Sequence, residues 1–275
     1  FGLYDRFEKL FKSLSELKSY KITSLEYLIK IYEVSKEWER AIDLIKTIDN
    51  KKVNDHTNEM LLAQYYCEIS SVYLNQNQLE KSIAITKKAL KTNPLCTRAN
   101  IQLAECYSSK DIGIAAQYLY SIINQNPKFA SYVVNKIINL AKKTSRTTTV
   151  MKIIIQISEI RDLAFIPDIY LFLYYENEKN IAQKYIDQYK KNDLFNNFII
   201  AHTLASSSEN TSSSPLNDLI STYNNIFSDN NYFICSNCGY KSNALNWLCP
   251  SCNSWETISP KSAIDLLRDG GTSDT

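Results

Sequence analysis

The chain has 275 residues, of which 44% are hydrophobic and 22% are charged, enough for the packed core of one large or two modest domains. Its net charge is only +2, from 31 basic and 29 acidic residues, so it lacks the dense positive field of a typical nucleic-acid-binding protein. Its five glycines form no phosphate-binding loop, dinucleotide fingerprint or G-x-S-x-G turn. P-loop NTPases, dinucleotide-binding folds and α/β-hydrolases are therefore disfavoured.

The start of the chain gives no targeting signal. The sequence has no run of the ~20 apolar residues that a membrane-spanning helix needs, and no signal peptide. Because it begins at Phe1 rather than at methionine, we interpret it as a fragment whose upstream part could hold a membrane anchor. The two histidines, His56 and His202, lie far apart and outside any H-E-x-x-H motif, so we predict ordinary polar roles for them.

Residues 1–227 have the periodicity of amphipathic helices, and the pattern repeats along the chain. Seven windows superpose with successive spacings of 34, 41, 34, 34, 32 and 34 residues. Four and seven positions after each anchor stand mostly apolar side chains, which predict one face of an α-helix. The seven anchors are Phe7, Ala41, Ser82, Ala116, Val150, Ala182 and Leu216.

A partner helix precedes each complete anchor, and Pro94 and Pro127 fall where the second helix of a repeat should end. This helix–turn–helix pattern resembles the tetratricopeptide repeat, with its strongest copies at Leu25–Asn50 and Tyr66–Pro94. The resemblance implies an all-α solenoid with a protein-binding surface, truncated in its first repeat. We interpret the stripes as core between helices. Nine residues before the anchors stand Tyr32, Tyr73, Tyr107, Ala141 and Leu173.

Composition divides the chain into three predicted regions. The helical solenoid covers residues 1–227, a small metal-binding module covers 232–260, and 268–275 form a disordered tail. The serine-rich stretch 206–215 is predicted to be a loop inside the last helix pair. Residues 228–231 form the linker before the module.

The module contains two C-x-x-C pairs within eighteen residues. Such turns direct backbone N–H groups at sulfur and present four thiolates to one tetrahedral ion. Gly239 and Asn253 follow the two pairs and suit the positive φ that each turn needs. The predicted metal ligands are Cys235, Cys238, Cys249 and Cys252. Zinc and iron both accept four thiolates, so the spacing leaves both ions open.

Two disulfides are the alternative for these four cysteines, and they require an oxidising compartment. Cys67, Cys96 and Cys106 stand singly in predicted helices, as buried thiols do in reduced cytoplasm, which favours the metal site. Trp247 and Trp255 flank the second pair. We expect them either to cover a module that has little core of its own or to attach it to the adjacent helices.

The combination of repeats and module resembles the lipopolysaccharide assembly protein B family, also called LapB or YciM. The family tail is a rubredoxin-like module of the form C-x-x-C-G, W-x-C-P-x-C and W-x-T-I-x-P. It is matched here by Tyr232–Tyr240 and Asn246–Pro260, and the helical part agrees at Gly2–Arg6, Ile31–Tyr32, Ser35–Asp43 and Tyr66–Glu68. Ser82 replaces the usual alanine, and the serine-rich segment looks like an insertion.

The resemblance implies a non-catalytic adaptor that controls lipopolysaccharide synthesis at the cytoplasmic side of the inner membrane of Gram-negative bacteria. Family members are anchored by an N-terminal transmembrane helix and cooperate with the protease FtsH to degrade the deacetylase LpxC. A further inner-membrane protein, PbgA (YejM, LapC), opposes them. By the same resemblance the metal sits on the four cysteines named above, and no catalytic residue is implied. Self-association is compatible with this interpretation.

Three other functions fit parts of the sequence. An electron carrier of rubredoxin type would bind iron and cycle it reversibly. A zinc-ribbon nucleic-acid binder would need a basic stripe, but the paired lysines are isolated. A generic tetratricopeptide scaffold or co-chaperone would hold a peptide carboxylate with basic residues, and the sequence does not assemble such a clamp.

Overall fold

The computed structural model describes residues 2–48, 55–143, 148–158 and 233–261, which fall into two units, 1–109 and 110–275. The predicted boundaries at 227 and 232, the stretch 206–215 and the tail 268–275 lie outside the described residues. The elements are α1 (Gly2–Ser15), α2 (Lys21–Ser35), α3 (Trp38–Thr47), α4 (Asp55–Asn75), α5 (Leu79–Thr92), α6 (Thr97–Tyr107), α7 (Ile112–Gln125), a 3₁₀ helix (Pro127–Phe129), α8 (Ala130–Lys143), α9 (Thr148–Ser158), β1 (Phe233–Cys235), β2 (Lys241–Ser242) and β3 (Ile258–Pro260).

The first unit stacks helix pairs, α2 with α3 and α4 with α5, followed by α6. The two pairs turn in the same way. Lys36 and Asn77 adopt positive φ angles of 59° and 57°, and the residue after each donates its N–H to the carbonyl of Tyr32 (2.8 Å) or Tyr73 (2.9 Å). These left-handed turns close the first helix and reverse the chain. The sequence repeat is therefore also a repeat of backbone geometry, as expected of a tetratricopeptide-like array.

The anchors within the described residues all lie in helices, and those at Ala41, Ser82 and Val150 lie in helices that pack on the preceding helix. Four of them are buried: Ala41, Ser82, Ala116 and Val150. The interpretation of the stripes as core is wrong for Phe7, which is 42% exposed. The reason is that α1 packs on α2 through Phe11, whose ring lies 4.9 Å from that of Tyr27, and this leaves Phe7 outside the contact. Ala182 and Leu216 lie outside the described residues.

Ser82, which stands where the family has alanine, is the centre of a buried hydroxyl cluster. Its Oγ lies 2.8 Å from Oγ of Ser70 and 3.3 Å from Sγ of Cys106. Ser70 Oγ also lies 2.5 Å from Oγ1 of Thr86. Burial of a hydroxyl is tolerated only when it is hydrogen-bonded, so the serine at this helix crossing is accommodated by polar partners on α4, α5 and α6.

In the second unit, Asp111 is the N-cap residue before α7, because its side chain accepts a hydrogen bond from the N–H of Ile114 at 3.0 Å. The helix ends at Gln125, two residues before Pro127, as predicted, and α5 likewise ends ahead of Pro94. Helices α8 and α9 pack on α7. Their shared core includes Val133, Ile137, Ile154 and Ile157.

The three cysteines outside the module, Cys67, Cys96 and Cys106, are fully buried. Cys67 and Cys106 lie within α4 and α6, as expected, whereas Cys96 is the N-cap residue of α6 rather than a helical residue. The difference arises because Pro94 ends α5 and a short turn precedes the next helix. No helix in the described ranges is long and apolar enough to cross a membrane.

Candidate metal centre

The small module is a three-stranded antiparallel sheet with strand order β2-β1-β3. Cys235 is the last residue of β1, so the strand delivers the first thiol into the turn that follows. In this turn the N–H of Cys235 donates to the carbonyl of Tyr240 at 2.9 Å, and the N–H of Gly239 donates back to Cys235 at 3.0 Å. Gly239 has a φ of 75°, the left-handed conformation expected from its position.

The second turn has the same hydrogen bonds. The N–H of Cys249 donates to the carbonyl of Ser254 at 3.0 Å, and the N–H of Asn253 donates to Cys249 at 2.9 Å. Asn253 has a φ of 52°, again as expected. Backbone N–H groups in each turn also point at the sulfur of its first cysteine, those of Ser251 and Cys252 at Cys249 in this one. The two turns are thus equivalent thiolate-binding turns that face each other.

The four predicted ligands are brought together. Their Sγ atoms all lie within 4.8 Å of one another. Sγ of Cys235 is 3.7 Å from that of Cys252, and Sγ of Cys238 is 3.6 Å from that of Cys249. Four thiolates about 2.3 Å from one ion in a tetrahedron are about 3.8 Å apart. The donor set, its distances and its chemistry therefore fit a single tetrahedral ion that prefers sulfur.

Hydrogen bonds and burial shift the thiol pKa values in opposite directions. The hydrogen bond with Thr257, 3.3 Å away, lowers the pKa of Cys235. The hydrogen bond from the side chain of Ser254 holds the pKa of Cys252 at about 6. Burial raises the pKa of Cys249 to about 11. A cation among the sulfurs would favour ionisation of the thiol that burial opposes.

Aromatic rings attach the module to the helices of its own unit. The ring of Trp247 stacks on that of Phe129 in the 3₁₀ helix, with centroids 5.7 Å apart and planes 6° apart. The ring of Tyr132 in α8 meets Phe233 edge-on at 5.8 Å. Phe233 belongs to the same buried cluster as Cys235. Of the two roles expected for Trp247, attachment to the adjacent helices is the one observed.

Sequence reasoning found the four thiols but not their surroundings. Ser254 and Thr257 were present in the matched motif, yet only the structure shows that they contact sulfur. Phe129 and Tyr132 carried no sequence signal for contact with the module. Trp255 lies in the module, where its backbone pairs with Leu248. Of the two histidines, His56 is in the first turn of α4 and His202 is outside the described residues.

These features define a protein that combines helix-pair repeats with a rubredoxin-like four-cysteine module. A family model described as a rubredoxin metal binding domain matches residues 233–260. Lipopolysaccharide assembly protein B of Haemophilus influenzae is 25% identical over 95% of the chain, and its Escherichia coli K12 counterpart is 23% identical over 97%. The chain is a distant homologue of lipopolysaccharide assembly protein B over nearly its whole length. It spans 66% and 69% of the length of these two relatives.

Some solved structures show a weaker likeness to the chain. YrrB, described as a TPR protein with an unusual peptide-binding site, is 15% identical with a TM-score of 0.33, covering 64% of this chain and 84% of its own. BtubC from P. vanneervenii is 11% identical with a TM-score of 0.35, covering 78% of this chain and 92% of its own. Because both TM-scores are below 0.5, the assignment of a repeat fold rests on the helix pairs observed in this chain.

Proposed function

We propose that the protein is a non-catalytic adaptor in the control of lipopolysaccharide synthesis. The single observation that carries the proposal is homology to lipopolysaccharide assembly protein B over 95% and 97% of the chain, with repeats and four-cysteine module in one chain. The relatives' name supplies the process. The stacked helix pairs supply the kind of surface that repeat proteins use to hold other polypeptides.

The proposed partners follow from the family resemblance. The repeats bind the deacetylase LpxC and the membrane protease FtsH, and so promote the degradation of LpxC by FtsH. The inner-membrane protein PbgA (YejM, LapC) opposes this action. The proposed place of action is the cytoplasmic side of the inner membrane, with anchoring through an N-terminal helix that precedes this sequence.

We propose that Cys235, Cys238, Cys249 and Cys252 hold one metal ion. The sulfur separations of 3.6 and 3.7 Å support this, because they match a tetrahedral tetrathiolate. When bound, zinc would supply a structural crosslink, and iron would supply either that crosslink or a one-electron redox centre. The chain's own contribution is to fix the module against the 3₁₀ helix through Trp247 and against α8 through Phe233.

The adaptor proposal is tested by binding between purified components. LpxC and the cytoplasmic region of FtsH are immobilised separately, and the full chain is titrated over each by biolayer interferometry. We expect saturable binding to both surfaces. Binding to neither at tens of micromolar would overturn the proposal.

Metal analysis and a redox titration of the same sample test the proposed metal centre. Reversible redox cycling of bound iron would favour the electron carrier of rubredoxin type instead.

A further inference from the structure

A polar cluster lies between α4 and α6, away from the metal centre. Its members, the α4–α6 polar cluster, are Gln64, Glu68, Ser71, Arg98 and Gln102. Arg98 and Gln102 are only 5% and 7% exposed. Buried polar groups in native proteins are nearly always fully hydrogen-bonded, and an exception calls for a reason. This cluster holds two exceptions.

Arg98 is paired on one side only. Its Nη1 lies 2.8 Å from a carboxylate oxygen of Glu68 and donates to Gln64 at 3.4 Å, and its Nη2 donates to Ser71 Oγ at 3.4 Å. Its Nε has no hydrogen-bond partner. The positive charge is therefore compensated by Glu68, while one N–H donor is left without an acceptor.

Gln102 also has one atom without a hydrogen-bond partner, but in this case the atom is an acceptor. Its Nε2 donates to the main-chain carbonyl of Cys67 at 3.0 Å and to Ser71 Oγ at 2.7 Å. A carbonyl can only accept, so the contact with Cys67 fixes which end of the amide is nitrogen. The Oε1 atom has no hydrogen-bond partner. Since Arg98 and Gln102 both donate to Ser71, the unpaired donor and the unpaired acceptor belong to neighbouring side chains.

We propose that the α4–α6 polar cluster binds the main-chain amide groups of one residue in an extended segment of a partner polypeptide. The carbonyl of that residue accepts from Nε of Arg98 and its N–H donates to Oε1 of Gln102, because both groups of one residue point to the same side of an extended chain. This inference rests on the proposed adaptor function, because it names the site at which the repeats hold a partner. Both helices are the first of their repeats, and stacked repeats build binding surfaces from such neighbours.

Charge selects the amide over other ligands. A carboxylate would satisfy Arg98 but would offer no donor to Gln102 and would be repelled by Glu68. An ammonium would satisfy Gln102 but would be repelled by Arg98. A neutral amide carries one donor and one acceptor and meets neither repulsion. Glu68, whose side chain is 28% exposed, and the half-buried Ser71 mark the side from which the segment approaches. Because both unpaired atoms are buried, the side chains of Arg98 and Gln102 turn outwards when the segment binds.

The test uses the full chain in three forms. Arg98→Lys keeps the charge opposite Glu68 but removes Nε–H. Gln102→Met keeps the side-chain length but removes the acceptor, together with the donor that bonds Cys67 and Ser71. Arg40→Lys is the matched control, because Arg40 also pairs with glutamates, Glu8 and Glu37, but lies outside the cluster. Circular dichroism and thermal unfolding first establish that each variant is folded.

Binding to immobilised LpxC and FtsH is then compared. We expect about tenfold weaker binding for each cluster variant, less than additive loss in the double variant, and unchanged binding for Arg40→Lys. If both cluster variants bind as tightly as the wild-type chain, this inference is overturned and the adaptor proposal stands. If the wild-type chain itself binds neither protein, the adaptor proposal alone is overturned.

A random peptide library displayed on phage tests the site without either protein. We expect selected peptides to bind the wild-type chain, and methylation of one peptide nitrogen to weaken that binding about tenfold, as Gln102→Met does. The same methylation should cost nothing further in Gln102→Met, because both changes remove the hydrogen bond between that peptide N–H and Oε1 of Gln102. Failure to select any peptide, or selected peptides that bind all variants equally, would overturn the inference.

Discussion

The indole of Trp247 stacks on the phenyl ring of Phe129, with centroids 5.7 Å apart and planes 6° apart. Trp247 lies two residues before the ligand candidate Cys249, and Phe129 is buried at the junction of the 3₁₀ helix and α8. The contact therefore joins the four-cysteine turn to the helical repeat next to it. We therefore expect a change at the metal centre to alter the packing of α8, and a change in α8 to alter the metal centre.

Removing this stack should loosen α8 without touching sulfur. In Trp247→Ala we expect the free energy of unfolding of the second unit to fall by about 2 kcal/mol. Hydrogen exchange of residues 127–143 should become faster while metal content stays at the wild-type value. Tyr240→Ala, at an exposed position of the same module, is the control. Unchanged exchange in residues 127–143 would contradict the coupling.

Cys249→Ser should release the metal, because a serine hydroxyl is a poor substitute for a buried thiolate. We expect metal content to fall to background in inductively coupled plasma mass spectrometry. The tryptophan fluorescence, to which Trp247 contributes with Trp38 and Trp255, should shift to the red as the turn opens. Cys106→Ser changes a buried cysteine outside the module and should keep the full metal content. A Cys249→Ser protein with wild-type metal content would refute the assignment of this ligand.

Ser82→Ala restores the residue usual for the family but removes the hydroxyl that contacts Ser70 and Cys106. We expect a loss of about 1 kcal/mol in urea unfolding, because polar partners stay buried with one hydrogen bond fewer. Ser13→Ala on exposed α1 should be neutral by comparison. A more stable Ser82→Ala protein would show that the cluster is tolerated rather than stabilising.

Two buried tyrosines predict a loss of stability at high pH. Burial and the hydrogen bond to Glu8 raise the pKa of Tyr32 from 10 to about 12, and burial beside Glu33 also raises the pKa of Tyr65. Because the folded state keeps these protons longer than the unfolded state does, their contribution is complete below pH 10 and is lost as pH rises towards 12.

Denaturant unfolding between pH 10 and pH 12 shows whether the free energy of unfolding falls as the pH rises. We expect stability to fall by about 1.4 kcal/mol per pH unit for each such tyrosine. Tyr32→Phe and Tyr65→Phe should each reduce the slope, whereas Tyr4→Phe at an exposed position should not. A stability that stays constant up to pH 12 would contradict the raised pKa values.

The sequence predicted what depends on short-range geometry. The four cysteines and the positive φ of Gly239 and Asn253 follow from local turn chemistry, and the helix pairs follow from a fixed spacing. Contacts between distant segments were not predictable. The stacking of Trp247 on Phe129 depends on how the module approaches α8, and periodicity does not encode that approach.

The partners of the buried polar residues were not predictable for the same reason, because they come from distant segments of the chain. Ser82 looked like a departure from the family pattern, and its partners Ser70 and Cys106 became visible only when α4, α5 and α6 were packed together. Arg98 and Gln102 have the spacing of one helix face, but their unpaired atoms depend on which groups of α4 face them. The interpretation of Phe7 as core failed because burial at the end of a stack depends on the neighbouring helix.

The most direct measurement asks whether the chain bridges two proteins. The cytoplasmic region of FtsH is immobilised, and retention of LpxC is measured with increasing amounts of the full chain. An adaptor predicts that retained LpxC rises, passes through a maximum and then falls as excess adaptor saturates each protein separately. Retention of LpxC that is the same with and without the chain would contradict the adaptor function.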